Sequence, residues 1–114
     1  MSTFLRETGP WNKYRERFPA MLEVDFHRGR RAPGVDYEEV MADVENETLE
    51  MLKKAQSEGV ERVMFVHGAS TSGPFRRSSR SVIRGFMRSS EATPYIVRRE
   101  CIQHPTVFIA KIKL

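Results

Sequence analysis

A long amphipathic helix pattern between two strand patterns constrains the fold of this chain most. Apolar residues recur at helical spacing over residues 40–55, and Gly59 ends the pattern. Residues 21–27 alternate between apolar and polar side chains, and residues 60–66 are rich in β-branched and apolar side chains. A strand, a helix and a second strand in this order predict a right-handed βαβ unit with parallel strands.

The rest of the C-terminal half adds a second helix and two further strands. Amphipathic spacing predicts a helix over 75–89, and strand patterns follow over 93–100 and 106–112. The complete order is β-α-β-α-β-β. It predicts a two-layer α/β sandwich in which two helices cover a four-stranded mixed sheet.

The first 20 residues are expected to form an arm outside this domain. Residues 11–18 have room for two helical turns that lay Trp11, Tyr14 and Phe18 against the core. Such an arm typically covers an edge of a sheet. The chain is therefore divided into an arm, residues 1–20, and a domain, residues 21–114.

The size and composition of the chain exclude several classes of protein. A chain of 114 residues has room for one hydrophobic core. Because Cys101 is the single cysteine, neither an internal disulfide nor a cysteine-rich zinc site can form. There is no apolar run of the roughly 20 residues that a membrane helix needs, and no secretory leader pattern. We therefore expect a cytoplasmic protein with no membrane partner.

The net charge of +4 conceals two halves of opposite sign. Residues 1–60 hold nine Lys and Arg against twelve Asp and Glu, whereas residues 61–114 hold ten against three. The second half is therefore strongly basic, and half of its cations lie on the helix predicted over 75–89. Uncompensated cations on one helix favour an anionic partner such as nucleic acid. They are Arg76, Arg77, Arg80, Arg84 and Arg88.

Residues suited to acid–base chemistry gather where the two parallel strands end. The first strand ends at Asp25 and His27, and the second ends at His67. Parallel strands joined by one helix end at the same edge of a sheet, where open α/β sheets bind ligands. Histidine carries protons near neutral pH, and a carboxylate orients it or activates water.

The neighbouring loops can hold the anion on which such chemistry acts. Residues 28–31 supply arginines, and Gly68 begins a loop that leads into a helix and can cradle a phosphate. Together with the strand-end groups, these loops suit phosphodiester chemistry. In the alternative interpretation, Asp25 and His27 only cap strand ends and the arginines form a solvated surface.

A metal site at the same edge is a weaker interpretation. The candidate ligands have suitable types but no ligand spacing that is local in the sequence. No metal ligand is therefore assigned, and Mg²⁺ or Mn²⁺ stays open as a requirement for cleavage. The residues considered are Asp25, His27, His67 and His104.

Short motifs at these positions resemble those of the small MutS-related (Smr) domain over residues 21–114. The D-L-H-G motif of that family is similar to residues 25–28 (DFHR), and its H-G-x-G motif is similar to residues 67–70 (HGAS). Its T-G-x-L-R stretch is similar to residues 72–76 (SGPFR), and its closing strand is similar to residues 106–112. The resemblance implies a fold like the C-terminal domain of bacterial translation initiation factor three. It also implies nucleic-acid binding and, in many members, endonuclease or nicking activity on DNA or RNA.

The resemblance carries the family's functional residues onto particular positions of this chain. The functional aspartate and histidine fall on Asp25 and His27, and the helix arginine falls on Arg76. With the strand-end argument, the candidate catalytic residues are Asp25, His27 and His67. The candidate nucleic-acid-binding residues are Arg28, Arg30, Arg31, Gly68, Ser70, Gly73, Arg76, Arg77, Arg80 and Arg84.

Three departures from the family pattern bear on catalysis. Arg28 replaces the glycine after D-x-H, Ser70 replaces the second glycine of H-G-x-G, and a short turn at 103–105 replaces a G-G-x-G-A loop. Without these glycines, the backbone loses sites of close approach to phosphate. The resemblance therefore implies an Smr-like nucleic-acid-binding domain, and endonuclease activity stays open. The alternatives are a non-catalytic nucleic-acid or ribosome binding module on the same fold, and a domain that self-associates through its acidic and basic helices.

Overall fold

The computed structural model describes residues 4–26, 37–68 and 78–114. They form a small α/β domain with one mixed sheet of five strands. The helices and strands follow one another as β1 (Leu5–Arg6), α1 (Lys13–Arg17), β2 (Leu22–Asp25), α2 (Tyr37–Glu58), β3 (Arg62–Val66), α3 (Ser79–Arg88), a 3₁₀ turn (Arg98–Glu100), β4 (Ile102–Gln103) and β5 (Val107–Lys111).

The predicted βαβ unit is present, with β2 and β3 paired in parallel on either side of α2 in the sequence. The sheet order is β1-β4-β5-β3-β2. β5 lies between β3 and β4 and is antiparallel to both. The carboxyl ends of β2 and β3 therefore lie side by side, where Asp25 pairs with Val66.

The prediction of four strands and two helices is wrong in both counts. The strands β1 and β4, which pair in parallel with each other, were both unpredicted. The third helix, α1, lies within residues 11–18, where the sequence left room for two helical turns, and Tyr14 is buried on it. The strand predicted over 93–100 is also wrong. That segment contains one isolated bridge, between Ile96 and Ile112, and then the 3₁₀ turn. The guanidinium of Arg98 donates to the carbonyls of Met87 and Ser89 at the end of α3, which holds this segment away from an extended path.

Helices α2 and α3 pack on one face of the sheet. Their apolar stripes are the ones that helical spacing predicts, with Leu52 and Ile83 fully buried. Thr48 is the polar member of the stripe, and its hydroxyl donates to the Val44 carbonyl at 2.7 Å. The buried residues of the two stripes are Met41, Val44, Thr48, Leu52, Ala55, Val82, Ile83, Phe86 and Met87.

The opposite face of the sheet is covered by α1 and the residues beside it. Tyr14 is fully buried there against a second apolar cluster that includes Met64, Val66 and Ile109. The alternate residues Val63 and Phe65 face the helices. The apolar run of β3 therefore reflects cover on both faces. The second cover is formed by the segment that is expected from the sequence to lay Trp11, Tyr14 and Phe18 against the core, although it is assigned there to an arm outside the two-layer domain. In the part of the chain that the structure describes, no helix has the length and apolar character needed to cross a bilayer.

Candidate functional site

A capping box sets the start of α3 and so the direction in which its arginines point. The backbone N–H of Ser81 donates to Ser78 Oγ at 3.1 Å, and the N–H of Ser78 donates to Ser81 Oγ at 2.9 Å. The apolar side chains of α3 face the core, which leaves Arg80, Arg84 and Arg88 along one side of the helix.

These three arginines lie over the turn that joins β4 to β5. Arg80 Nη1 donates to the Pro105 carbonyl at 3.4 Å, and Arg84 Nη2 donates to the His104 carbonyl at 3.2 Å. Arg88 Nη2 donates to Gln103 Oε1 at 3.0 Å. Each guanidinium carries five N–H groups, so most of their donors are not used by these contacts.

No carboxylate among the described residues pairs with these arginines. The four ion pairs found there involve other cations: Arg15, Arg17, Lys53 and Arg62. Burial lowers the pKa of the Arg84 guanidinium, and the charges of Arg80, Arg88 and Arg6 lower it further. We call Arg6, Arg80, Arg84 and Arg88 the arginine cluster. Its members repel one another, and a bound anion would relieve this repulsion.

His67 is buried at the end of β3 beside the arginine cluster. It is 5% exposed, and the backbone N–H groups of His67 and Gly68 both donate to the Thr106 carbonyl, at 3.1 and 3.0 Å. Gly68 has a φ of 85°, which an L side chain would strain. This backbone path folds the end of β3 against the β4–β5 turn, close to α3.

The hydrogen bond of the His67 ring fixes its tautomer. Nδ1 lies 2.8 Å from the Gly68 carbonyl, which can only accept, so Nδ1 carries the proton. Nε2 is then a hydrogen-bond acceptor, and it is buried without a partner among the described residues. Arg84 Nε, which is a donor, is likewise buried and has no partner among the described residues. Among the described residues, the site therefore contains one unsatisfied acceptor, on His67, and one unsatisfied donor, on Arg84, whose charge also contributes to the lowered pKa of His67.

Asp25 lies at the same edge of the sheet, but its side chain is on the other face. Leu22 and Val24 pack into the helix-side core, so the alternation of β2 places Asp25 on the α1 side. There it helps Glu23 to raise the pKa of Arg15. The structure thus brings the strand ends together, as predicted, but it does not bring the side chains of Asp25 and His67 together.

Several predicted site residues lie outside the described residues. Of the candidates, the structure places Asp25, His67, Gly68, Arg80 and Arg84, and it brings the last four to one side of the sheet. Arg88 shows the same helical spacing as Arg80 and Arg84, so the sequence contained its signal. No sequence signal pointed to Arg6, because Arg6 reaches the cluster only through the pairing of β1 with β4. The candidates outside the described ranges are His27, Arg28, Arg30, Arg31, Ser70, Gly73, Arg76 and Arg77.

His104 and Cys101 are bound into the fold. His104 Nε2 donates to the Gly9 carbonyl at 2.7 Å, and His104 Nδ1 accepts from the Thr106 N–H at 3.0 Å. Both ring nitrogens are therefore used, and no lone pair is left for a metal.

Burial raises the pKa of the Cys101 thiol to about 11, which keeps it protonated and unreactive. Within residues 4–26, 37–68 and 78–114, no group of three or more potential ligands is placed to hold a metal ion.

The burial of neutral His67 predicts a loss of stability in acid. Burial lowers the pKa of His67 from 6.5 to about 4, with a smaller contribution from Arg84 and Arg80. Between these pH values the unfolded chain binds more protons than the folded chain, so stability falls as the pH drops from about 6.5 towards 4. The part due to His67 is up to roughly 3 kcal/mol. Urea unfolding across this pH range, compared between wild type and His67→Phe, measures it. The same pH dependence in both proteins would contradict the assignment of this loss of stability to His67.

Comparison of the chain with protein-family models, with curated proteins and with solved structures found no match.

Proposed function

We propose that this domain binds nucleic acid through the arginine cluster and that its fold is similar to that of Smr domains and the C-terminal domain of translation initiation factor three. One observation carries the proposal. Four arginines without a described acidic partner lie beside two buried, unsatisfied polar atoms, His67 Nε2 and Arg84 Nε. The repulsion among the arginines and the unsatisfied Arg84 Nε destabilise the free protein, and an anion that accepts from the guanidinium groups would relieve both.

The spacing of the arginines favours a polymeric anion over a single ion. Arg80, Arg84 and Arg88 are separated by one helical turn each, which corresponds to about 6 Å along the axis. A single phosphate cannot contact the whole row, whereas the successive phosphates of a strand can.

Endonuclease activity is the second candidate, and the His67 ring favours it. Its Nε2 is unprotonated and has no partner in the part of the chain that the structure describes, so it can accept a proton from an attacking hydroxyl or water. The positive charge of Arg84, which also lowers the pKa of His67, can stabilise charge that develops on a phosphate bound beside the ring. The Smr resemblance implies catalytic roles for Asp25 and His27, but the Asp25 side chain lies on the other face of the sheet from His67, so His67 is the base in this proposal. Mg²⁺ or Mn²⁺ is tested as a requirement.

Incubation of the protein with end-labelled RNA and DNA, with and without Mg²⁺ or Mn²⁺, tests both candidates. We expect binding whose logarithmic affinity falls with logarithmic salt concentration, by about 0.7 for each phosphate contacted on a single strand. Binding without new fragments under any condition supports the non-catalytic module. Cleavage that is lost in His67→Phe supports the enzyme, and loss of cleavage in Asp25→Ala or His27→Ala supports the roles that the Smr resemblance implies. Failure to bind either nucleic acid at low salt would refute the proposal.

A further inference from the structure

The unsatisfied pair in the site consists of an acceptor and a donor, and this combination restricts the ligand. Because Nδ1 of His67 donates to the Gly68 carbonyl, Nε2 can only accept from a ligand. Arg84 Nε can only donate. A phosphodiester group offers acceptors alone, so it satisfies Arg84 and leaves His67 Nε2 unpaired.

A ribonucleotide supplies both missing groups. Its phosphate oxygens accept hydrogen bonds, and its 2′-hydroxyl, on the sugar carbon next to the 3′-phosphate, has an O–H to donate. A deoxyribonucleotide has the same phosphate but no hydroxyl at this position, so it would leave a buried acceptor unpaired. An unpaired buried polar group disfavours the wrong ligand more than a made hydrogen bond favours the right one.

We propose that His67 selects RNA over DNA by accepting a hydrogen bond from a ribose 2′-hydroxyl while Arg84 donates to the adjoining phosphate. This inference rests on the proposed nucleic-acid binding and assigns its substrate class. His67 is 5% exposed in the free protein, so we expect binding to open a path to Nε2. His67 is then a specificity residue, because the 2′-hydroxyl is the group that distinguishes RNA from DNA at a given position.

The test compares three labelled oligonucleotides of identical base sequence by fluorescence anisotropy: oligouridylate, its deoxyuridine counterpart and its 2′-fluoro counterpart. The fluoro strand keeps an RNA-like sugar shape but has no O–H to donate. We expect the deoxy and the fluoro strands to bind about tenfold more weakly than the RNA. Equal affinity of the RNA and the fluoro strand would overturn the inference, since shape alone would then explain any preference.

The variant His67→Phe tests the same hydrogen bond by a change in the protein instead of in the ligand. It keeps a buried ring but removes the acceptor, and we expect it to bind the three oligonucleotides equally, near the affinity of wild type for the deoxy strand. Undiminished preference for RNA in His67→Phe would overturn the inference. Absence of binding to all three strands by wild type would instead overturn the proposed function itself. The ligand series on wild type gives a result even if the variant does not fold.

Discussion

Replacing Arg80 and Arg84 together by alanine is expected to weaken nucleic-acid binding about a hundredfold, because two charge-assisted hydrogen bonds to phosphate together contribute about 3 kcal/mol. The salt dependence should become shallower by about 0.7 for each lost contact to a single strand. Fluorescence anisotropy with a labelled oligonucleotide at several salt concentrations measures both effects. Unchanged affinity in the double variant would remove this side of α3 from the interface.

The stability of the same variant separates a binding role from a structural one. Repulsion from Arg80, Arg88 and Arg6 already disfavours the charged form of Arg84, so loss of two members of the cluster relieves repulsion. The lost hydrogen bonds go to the carbonyls of Pro105 and His104 on the turn. We therefore expect the urea midpoint to change little while affinity falls.

A matched control is available on α2. Lys53 and Lys54 are exposed near its C-terminal end, and their replacement by alanine also removes two positive charges. If binding depends on the arginine cluster, this control should lose at most a small factor in affinity. An equal loss in both double variants would show that the chain attracts nucleic acid by net charge alone.

Tyr14→Ala is expected to lower the free energy of unfolding by about 4 kcal/mol, which is a large part of the stability of a domain of this size. Tyr14 is the largest of the fully buried side chains among the described residues, and it lies on the second face of the sheet. Its ring meets His104 edge-on at 5.9 Å and lies parallel to Phe18 at 6.4 Å. The substitution leaves a cavity against Met64 and its neighbours that the surrounding strands cannot fill.

Tyr14→Phe distinguishes the ring from its hydroxyl. The hydroxyl donates to Glu7 Oε1 at 2.9 Å, and Glu7 keeps its ion pair with Arg17 when the hydroxyl is removed. We expect a loss of about 1 kcal/mol, measured by urea unfolding beside the alanine variant. If Tyr14→Ala lowers the free energy of unfolding no more than Tyr14→Phe does, the N-terminal cover does not stabilise the sheet.

The sequence predicted the parts of the fold that have strong periodicity. The helical stripe of α2 and the alternation of β2 are both visible in the residue order, and both occur in the structure. β1 could not be predicted because it has only two residues, Leu5 and Arg6, and its pairing with β4 is a long-range contact. The strand predicted over 93–100 had suitable side chains, but hydrogen bonds from Arg98 to the end of α3 decide its path.

The positive charge of the candidate site could be predicted from the sequence, but the arrangement of its side chains could not. The spacing of Arg80 and Arg84 identified one basic side of a helix, and the βαβ order identified the sheet edge. Residue order could not show that Asp25 and His67 lie on opposite faces of the sheet, because that depends on the register of β2 against β3. The tautomer of His67 depends on the backbone turn at Gly68, which has no local signature beyond the glycine.

The position of β5 has a consequence for synthesis on the ribosome. The last strand to be made lies in the interior of the sheet, where it joins β3 to β4, and β4 in turn holds β1. Before residues 107–111 leave the exit tunnel, β2 and β3 can pair but the first strand has no template. Helix α1 and its apolar neighbours can then complete the second face only after residues 107–111 have emerged, and until that point an apolar face of β3 is exposed to chaperones and to other nascent chains.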